Sequence, residues 1–168
     1  MTSDRLWNEM TSWDGIGHGL TFHAARPLSC QNIYVRTFAP SDFLAESAQE
    51  WDCIDFRKRN QPVRSATLTW TLSQPATVFG FGLWWEALLQ PGVLLSTAPS
   101  SPRTHWEQIF MPVLTPLKLV QGDCLTLSLS VDSRQEIRIN VAWKIRVRAA
   151  DGTERAHQSL DMQRGRID

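Results

Sequence analysis

The stretch from Leu125 to Val147 constrains the fold more than any other part of the chain. Leu125, Leu127, Leu129 and Val131 alternate with Thr126, Ser128 and Ser130. Ile137, Ile139, Val141, Trp143, Ile145 and Val147 then alternate with Glu136, Arg138, Asn140, Ala142, Lys144 and Arg146. A period of two places every apolar side chain of each run on one face, which is the pattern of a half-buried strand. Only Asp132, Ser133, Arg134 and Gln135 separate the runs, a hairpin-length connection, so the two strands are expected to pair antiparallel. Such a hairpin hides its apolar face only if a second layer covers it.

The remaining chain supplies that layer. Strand patterns occur at residues 33–38, 51–56, 63–72, 76–88, 93–96, 106–113 and 116–120, punctuated by Pro62, Pro75, Pro91-Gly92, Pro99, Pro102 and Gly122. Asp151-Gly152 marks a further turn, after which residues 154–162 read as a returning strand. One short helix is predicted over residues 42–50, with Ser41 as its cap and Pro40 before it. So many strands with so little helix predict an all-β fold, an antiparallel β-barrel or a barrel-like sandwich, with closure favoured because it removes exposed edges. The 168 residues make one domain, long enough to bury roughly two-thirds of the unfolded chain's surface without disulfide or metal staples. The expected division is an arm-like segment at 1–30, the barrel at 31–162 and a polar tail at 163–168.

The first thirty residues have no clear period. Trp7, Trp13, Ile16, Leu20 and Phe22 are spread among Gly15, Gly17 and Gly19. Such a segment either packs on a partner, making these five residues candidate contacts, or lies over the open end of its own barrel. Both readings stay open on the sequence.

Charge narrows the function. Seventeen basic and seventeen acidic residues sum to zero and are scattered, which argues against a nucleic-acid or anionic-membrane surface. Cys30, Cys53 and Cys124 are far apart and odd in number, so they read as reduced thiols and no zinc site is expected. No run of 18 apolar residues and no signal-like start are present, and a cytoplasmic location is expected. Catalytic signatures are also missing: there is no Walker loop, no Gly-x-Ser-x-Gly and no His-Glu-x-x-His. Gly80-Phe81-Gly82 sits inside a strand pattern with no helix after it, so it reads as strand glycines rather than a phosphate loop. His18 and His23 lack a third ligand nearby, and no metal is assigned to them. Eight tryptophans invite a carbohydrate-binding reading, but Trp70, Trp84 and Trp143 fall on apolar strand patterns and read as core.

One region is more specific. Phe79-Gly80-Phe81-Gly82-Leu83-Trp84-Trp85-Glu86-Ala87 is followed by Leu95-Ser96-Thr97-Ala98-Pro99 and then by Pro102-Arg103-Thr104-His105-Trp106-Glu107-Gln108. The series resembles the C-terminal barrel of protein arginine methyltransferases, in which a Ser-Thr-x-Pro turn leads to a Thr-His-Trp loop closely followed by Gln. Leu117 to Val120 and Gly122-Asp123 take the places of the next strand and turn, and Trp7 to Phe22 that of the dimerisation arm. The resemblance runs from about Leu6 to Val147. It implies that His105 supports catalysis by positioning substrate, that Trp106 shapes a slot for a flat guanidinium, and that Thr104 fixes the loop. It also implies a Rossmann-type methyl-donor domain, in the same or a separate chain, a protein or peptide arginine substrate, a possible homodimer, and S-adenosylmethionine in the complete enzyme. The donor domain's glycine-rich loop and paired glutamates are missing from these 168 residues, so no cofactor is expected to bind this chain alone. The alternative is a stand-alone, non-catalytic interaction module derived from that barrel.

Overall fold

The computed structural model describes residues 1–12, 17–135 and 138–165. Two short α-helices, α1 (Arg5–Met10) and α2 (Arg26–Cys30), precede nine strands: β1 (Tyr34–Arg36), β2 (Val63–Thr71), β3 (Ala76–Leu83), β4 (Glu86–Gln90), β5 (Val93–Ser96), β6 (Gln108–Leu119), β7 (Cys124–Gln135), β8 (Arg138–Arg148) and β9 (Glu154–Asp161).

The alternating runs become β7 and β8, with Leu125 opposite Val147, Leu127 opposite Ile145 and Leu129 opposite Trp143. All six side chains are buried. β2 joins on the far side of β7, and β9 on the far side of β8 after the expected Asp151-Gly152 turn, giving a four-stranded antiparallel sheet ordered β2-β7-β8-β9. The covering layer is a second sheet, β1-β6-β3. Its Val78, Phe81, Met111, Val113, Leu117 and Leu119 interlock with the first sheet's leucines and Trp143 in one core. The Trp143 indole N–H crosses between layers to donate to the Pro112 carbonyl at 2.9 Å, meeting the need of a buried polar tip for a partner.

Among the described residues no backbone ladder joins the two sheets, so the fold is the barrel-like sandwich of the two forms expected. Gln158 on β9 does the joining with its side chain. Its Oε1 accepts from the Leu114 N–H at 2.7 Å, and its Nε2 donates to the Thr115 carbonyl at 2.7 Å. That satisfies backbone groups of β6 which a ladder would otherwise have to reach.

Several predicted boundaries are corrected. Residues 42–50 do not form a helix: a single 3-10 turn, Pro40–Asp42, ends at once in extended backbone at Phe43. Packing wins over capping here. The Phe43 ring meets Phe38 at 5.3 Å and Trp84 at 5.7 Å, and Glu46 takes a positive φ of 54° that a helix cannot hold. Residues 51–56 form no strand either. Asp52 instead makes a two-pronged ion pair with Arg64, which also donates to the Cys53 carbonyl at 2.7 Å, while Asp55 gathers Arg57. Side-chain bonds of this kind displace a ladder.

The two strands predicted at 106–113 and 116–120 are one, β6. Its pairing jumps from Leu117 opposite Val78 to Pro112 opposite Gly80, so Pro112 and Pro116 flank an irregularity where a missing N–H costs little. Residues 76–88 are two strands, β3 and β4, broken at Trp84-Trp85. Among the described residues β4 pairs only with β5, as a separate two-stranded sheet turning at Gly92, whose φ is +81°.

The N-terminal segment divides. Met1, Leu6 and Met10 are buried beside Phe38 and Phe110, and Trp7 donates its indole N–H to the Val113 carbonyl at 3.1 Å. Leu20 and Phe22 are exposed, whereas Trp13 and Ile16 lie outside the described residues. Among the described residues no helix is long and apolar enough to cross a membrane, and no group of three or more residues could hold a metal ion.

Candidate functional site

The site is a loop, residues 97–107, hung between β5 and β6, and its rigidity comes from a few polar side chains. Thr97 is almost fully buried. Its hydroxyl accepts from the Trp85 N–H at 3.1 Å and donates to the Trp85 carbonyl at 3.0 Å, which also accepts from the Thr97 N–H at 3.0 Å where β4 begins. Gln108, also buried, donates to the Thr97 carbonyl at 2.8 Å and accepts from the Phe38 N–H at 2.9 Å, tying the turn to the segment after β1. Ser96 donates to Glu86, and its hydroxyl oxygen accepts from the Ala98 N–H and from Ser101. The Ser-Thr-x-Pro turn and the following Gln are therefore one hydrogen-bonded unit. Buried polar groups so fully satisfied hold a loop in a single arrangement.

On that base stand the three residues singled out in the sequence. The Thr104 hydroxyl donates to the Trp106 carbonyl at 2.8 Å, bracing the loop over His105. His105 is exposed. Trp106 is 53% exposed and rests edge-on against Trp85, with ring centroids 5.6 Å apart and planes at 66°. An edge-to-face contact of this kind fixes a ring while leaving a face open.

Beside the loop lies a cleft of about 230 Å³, walled by Thr37 to Pro40 on one side and by Thr97, Ser101, Arg103 and Thr104 on the other. His105 and Trp106 stand outside it. The arm residues Trp7, Leu20 and Phe22 are not part of this site. Sequence reasoning missed Trp85, the support of Trp106, and the tie made by Gln108. The adjacent Trp84-Trp85 pair, which breaks the strand pattern, was the available signal for the first. Nothing local in the sequence announces the second, because Gln108 and Phe38 are 70 positions apart.

The arginine methyltransferase oligomerization subdomain family matches residues 2–149. An arginine N(omega)-methyltransferase of Streptomyces achromogenes subsp. streptozoticus is 30% identical over 90 residues, covering 54% of this chain and 25% of that protein. Protein arginine N-methyltransferase 2 of Xenopus tropicalis is 24% identical over 159 residues, covering 82% and 35%. The chain thus spans about a third or less of these curated relatives. Two solved structures share the fold. The Trypanosoma brucei PRMT1 enzyme-prozyme heterotetrameric complex with AdoHcy aligns with TM-score 0.59 and 17% identity over 96% of this chain and 53% of that one. Protein arginine methyltransferase 10 of Arabidopsis thaliana aligns with TM-score 0.57 and 16% identity, over 94% and 52%. With nearly its whole length matched, the chain belongs to the arginine methyltransferase oligomerization subdomain family.

Proposed function

We propose that this chain is the barrel half of an S-adenosylmethionine-dependent arginine methyltransferase, contributing one wall of the guanidinium site and contacts to a methyl-donor domain. The observation that carries this reading is the Trp106 ring, half exposed and propped by Trp85 beside exposed His105, on a loop that Gln108 and Thr97 hold rigid. A flat cation lies well against an indole face, and imidazole offers a hydrogen bond whose donor or acceptor character follows its protonation. Methyl transfer also requires donor and acceptor to be aligned with high precision, which favours a wall that does not move.

These 168 residues hold no recognisable methyl-donor site, so S-adenosylmethionine belongs to the other half, and the chain alone is inactive. Leu20 and Phe22, exposed beyond the anchored helix α1, are the contacts offered to that half or to a second copy. Calorimetric titration of the isolated chain with S-adenosylmethionine to millimolar concentration is expected to give no binding heat. Saturable binding would overturn the division of labour.

A second reading, a non-catalytic interaction module, is favoured by the apolar residues left uncovered on β4 and β5, Leu88, Leu89 and Leu94, each more than half exposed. It predicts that partner capture depends on exposed positions such as Leu20 and Phe22 and is indifferent to His105. Point substitutions are the right tool, because deleting the segment would also remove buried Leu6 and Met10.

A further inference from the structure

The two edges of the β4–β5 ribbon differ. On β4 the pairing jumps from Leu88 opposite Leu94 to Gln90 opposite Val93, so Leu89 is an extra residue, a bulge that bends that strand. β5, Val93–Ser96, has no charge, no proline and no bulge, the devices that keep an edge from meeting another strand. The Thr97 N–H bonds to the Trp85 carbonyl at 3.0 Å. Backbone groups alternate sides along a strand, so those of Leu95 also turn to β4, and those of Leu94 and Ser96 turn to the open edge. No other strand among the described residues reaches them.

An identical strand fits this edge residue for residue. Run antiparallel about a two-fold axis through Leu95, β5 of a second copy sets Leu94 against Ser96 and Ser96 against Leu94, and both pairs exchange N–H and C=O groups. The two ribbons become one four-stranded sheet, which gives a two-stranded ribbon, marginal alone, the partners it lacks. Leu88 and Leu94, opposite each other and both more than half exposed, then continue as one apolar stripe across both copies. Charge favours a copy over another partner. From Ala87 to Thr97 there is no charged residue, so two identical surfaces meet without like charges opposed, while a charged partner would find no counter-charge there. The chain's net charge of zero adds no long-range repulsion. Four residues of edge fall short of the about 800 Å² that each partner gives to a standard interface, so the dimer is weak, with a dissociation constant of about 10–500 µM.

We propose that the open edge of β5 is a self-association surface and that its occupant is β5 of a second copy of this chain. Self-association through this edge and the methyltransferase reading stand or fall separately, and Leu20 and Phe22 are left to other contacts.

Sedimentation of the full 168-residue chain from about 5 µM to about 1 mM is expected to pass from monomer to dimer. Amide hydrogen exchange at Leu94 and Ser96 should slow over the same range, by about tenfold where nine-tenths of the chain is dimer, while Leu95, already bonded to β4, changes little. Leu94→Lys and Leu94→Glu should each stay monomeric, because the two copies of this position are diagonal neighbours about 7–8 Å apart across the axis, and an equimolar mixture of the two variants should dimerise again. A folding defect cannot produce that rescue. Leu20→Ser with Phe22→Ser should leave the dimer unchanged. A chain still monomeric at the top of the range, a dimer that Leu94→Lys leaves intact, or a mixture that stays monomeric overturns the proposal. So does a dimer in which the Leu94 and Ser96 amides exchange as fast as in the monomer, or one that is lost in the variant at Leu20 and Phe22.

Discussion

The β7–β8 hairpin and the β4–β5 hairpin are both rich in leucine and valine, and they meet opposite fates. In β7 and β8 the apolar residues of the alternating runs are spaced by two and fall on one face, and Leu125, Leu127, Leu129, Val141, Ile145 and Val147 are buried, with Ile139, near the turn, left 55% exposed. In β4 and β5 they come as neighbours, Leu88-Leu89 and Val93-Leu94, which puts apolar groups on both faces of a ribbon that, among the described residues, pairs only with itself. Leu88 is 71% exposed, Leu89 64% and Leu94 59%. Trp85 and Trp106 stand at the base of the same ribbon and are also partly exposed. The comparison teaches that spacing, more than apolar content, decides what a hairpin buries within its own chain. A contiguous uncovered apolar surface marks a place where something else is meant to pack.

The contrast is open to breaking by substitution. Trp143→Ala, on the buried side, is expected to cost about 3–5 kcal/mol, through the lost ring and the orphaned Pro112 carbonyl, and denaturant unfolding would measure it. A loss under about 1 kcal/mol would mean that the two sheets are not held together as described.

Asp123 tests the same core from its polar side. It is buried, accepts from the Val120 N–H at 2.9 Å and pairs with Arg155. The Val120 hydrogen bond first, and Arg155 with it, hold its carboxyl below the ordinary range. Its contribution is therefore present above the unfolded value of about 4 and fades as pH falls through the depressed folded value. Asp123→Asn is expected to lower stability at neutral pH by about 1.5–3 kcal/mol and to flatten the acid limb of the stability profile. An unchanged acid limb would remove Asp123 from the account.

Gly80→Ala sharpens the reading of the glycines. A Cβ there would sit 2.3 Å from the Phe110 ring and 2.7 Å from the Met111 carbonyl oxygen. Overpacking of this kind costs about 1–3 kcal/mol, visible as a lowered Tm. A neutral result would show that β3 and β6 are further apart than described.

On the exposed ribbon the effect on folding should be smallest. Leu88→Ser with Leu94→Ser is expected to change stability by no more than about 0.5 kcal/mol, while reducing self-association or partner binding in sedimentation. A large loss of stability would show that the ribbon is covered by its own chain and would erase the contrast.

These outcomes bear on what the sequence made legible. Strands β2, β5, β7, β8 and β9 could be read because alternation and turn residues are local signals. The 42–50 helix and the 51–56 strand misled because their local cues were overridden by partners outside those segments: Phe38 and Trp84 for Phe43, and Arg64 for Asp52. The merging of two predicted strands into β6 was hidden because their patterns stop at Val113 and restart at Pro116, and the gap closes only through the irregular pairing opposite β3. For the site, Thr104, His105 and Trp106 were found through family likeness. Trp85 and Gln108 stand in the same series, but the support of Trp106 by Trp85 and the tie from Gln108 to Phe38 emerged only when the chain segments holding them were brought together.

The most direct test of the central claim is methyl transfer from S-adenosylmethionine to arginine by the assembly captured on a tag on this chain from its own cells, compared with the isolated 168-residue chain. The account predicts methylated guanidine from the assembly, none from the isolated chain, and a loss of about ten- to thousand-fold with His105→Ala. Transfer by the isolated chain, or an assembly as active with His105→Ala as without it, would contradict the account.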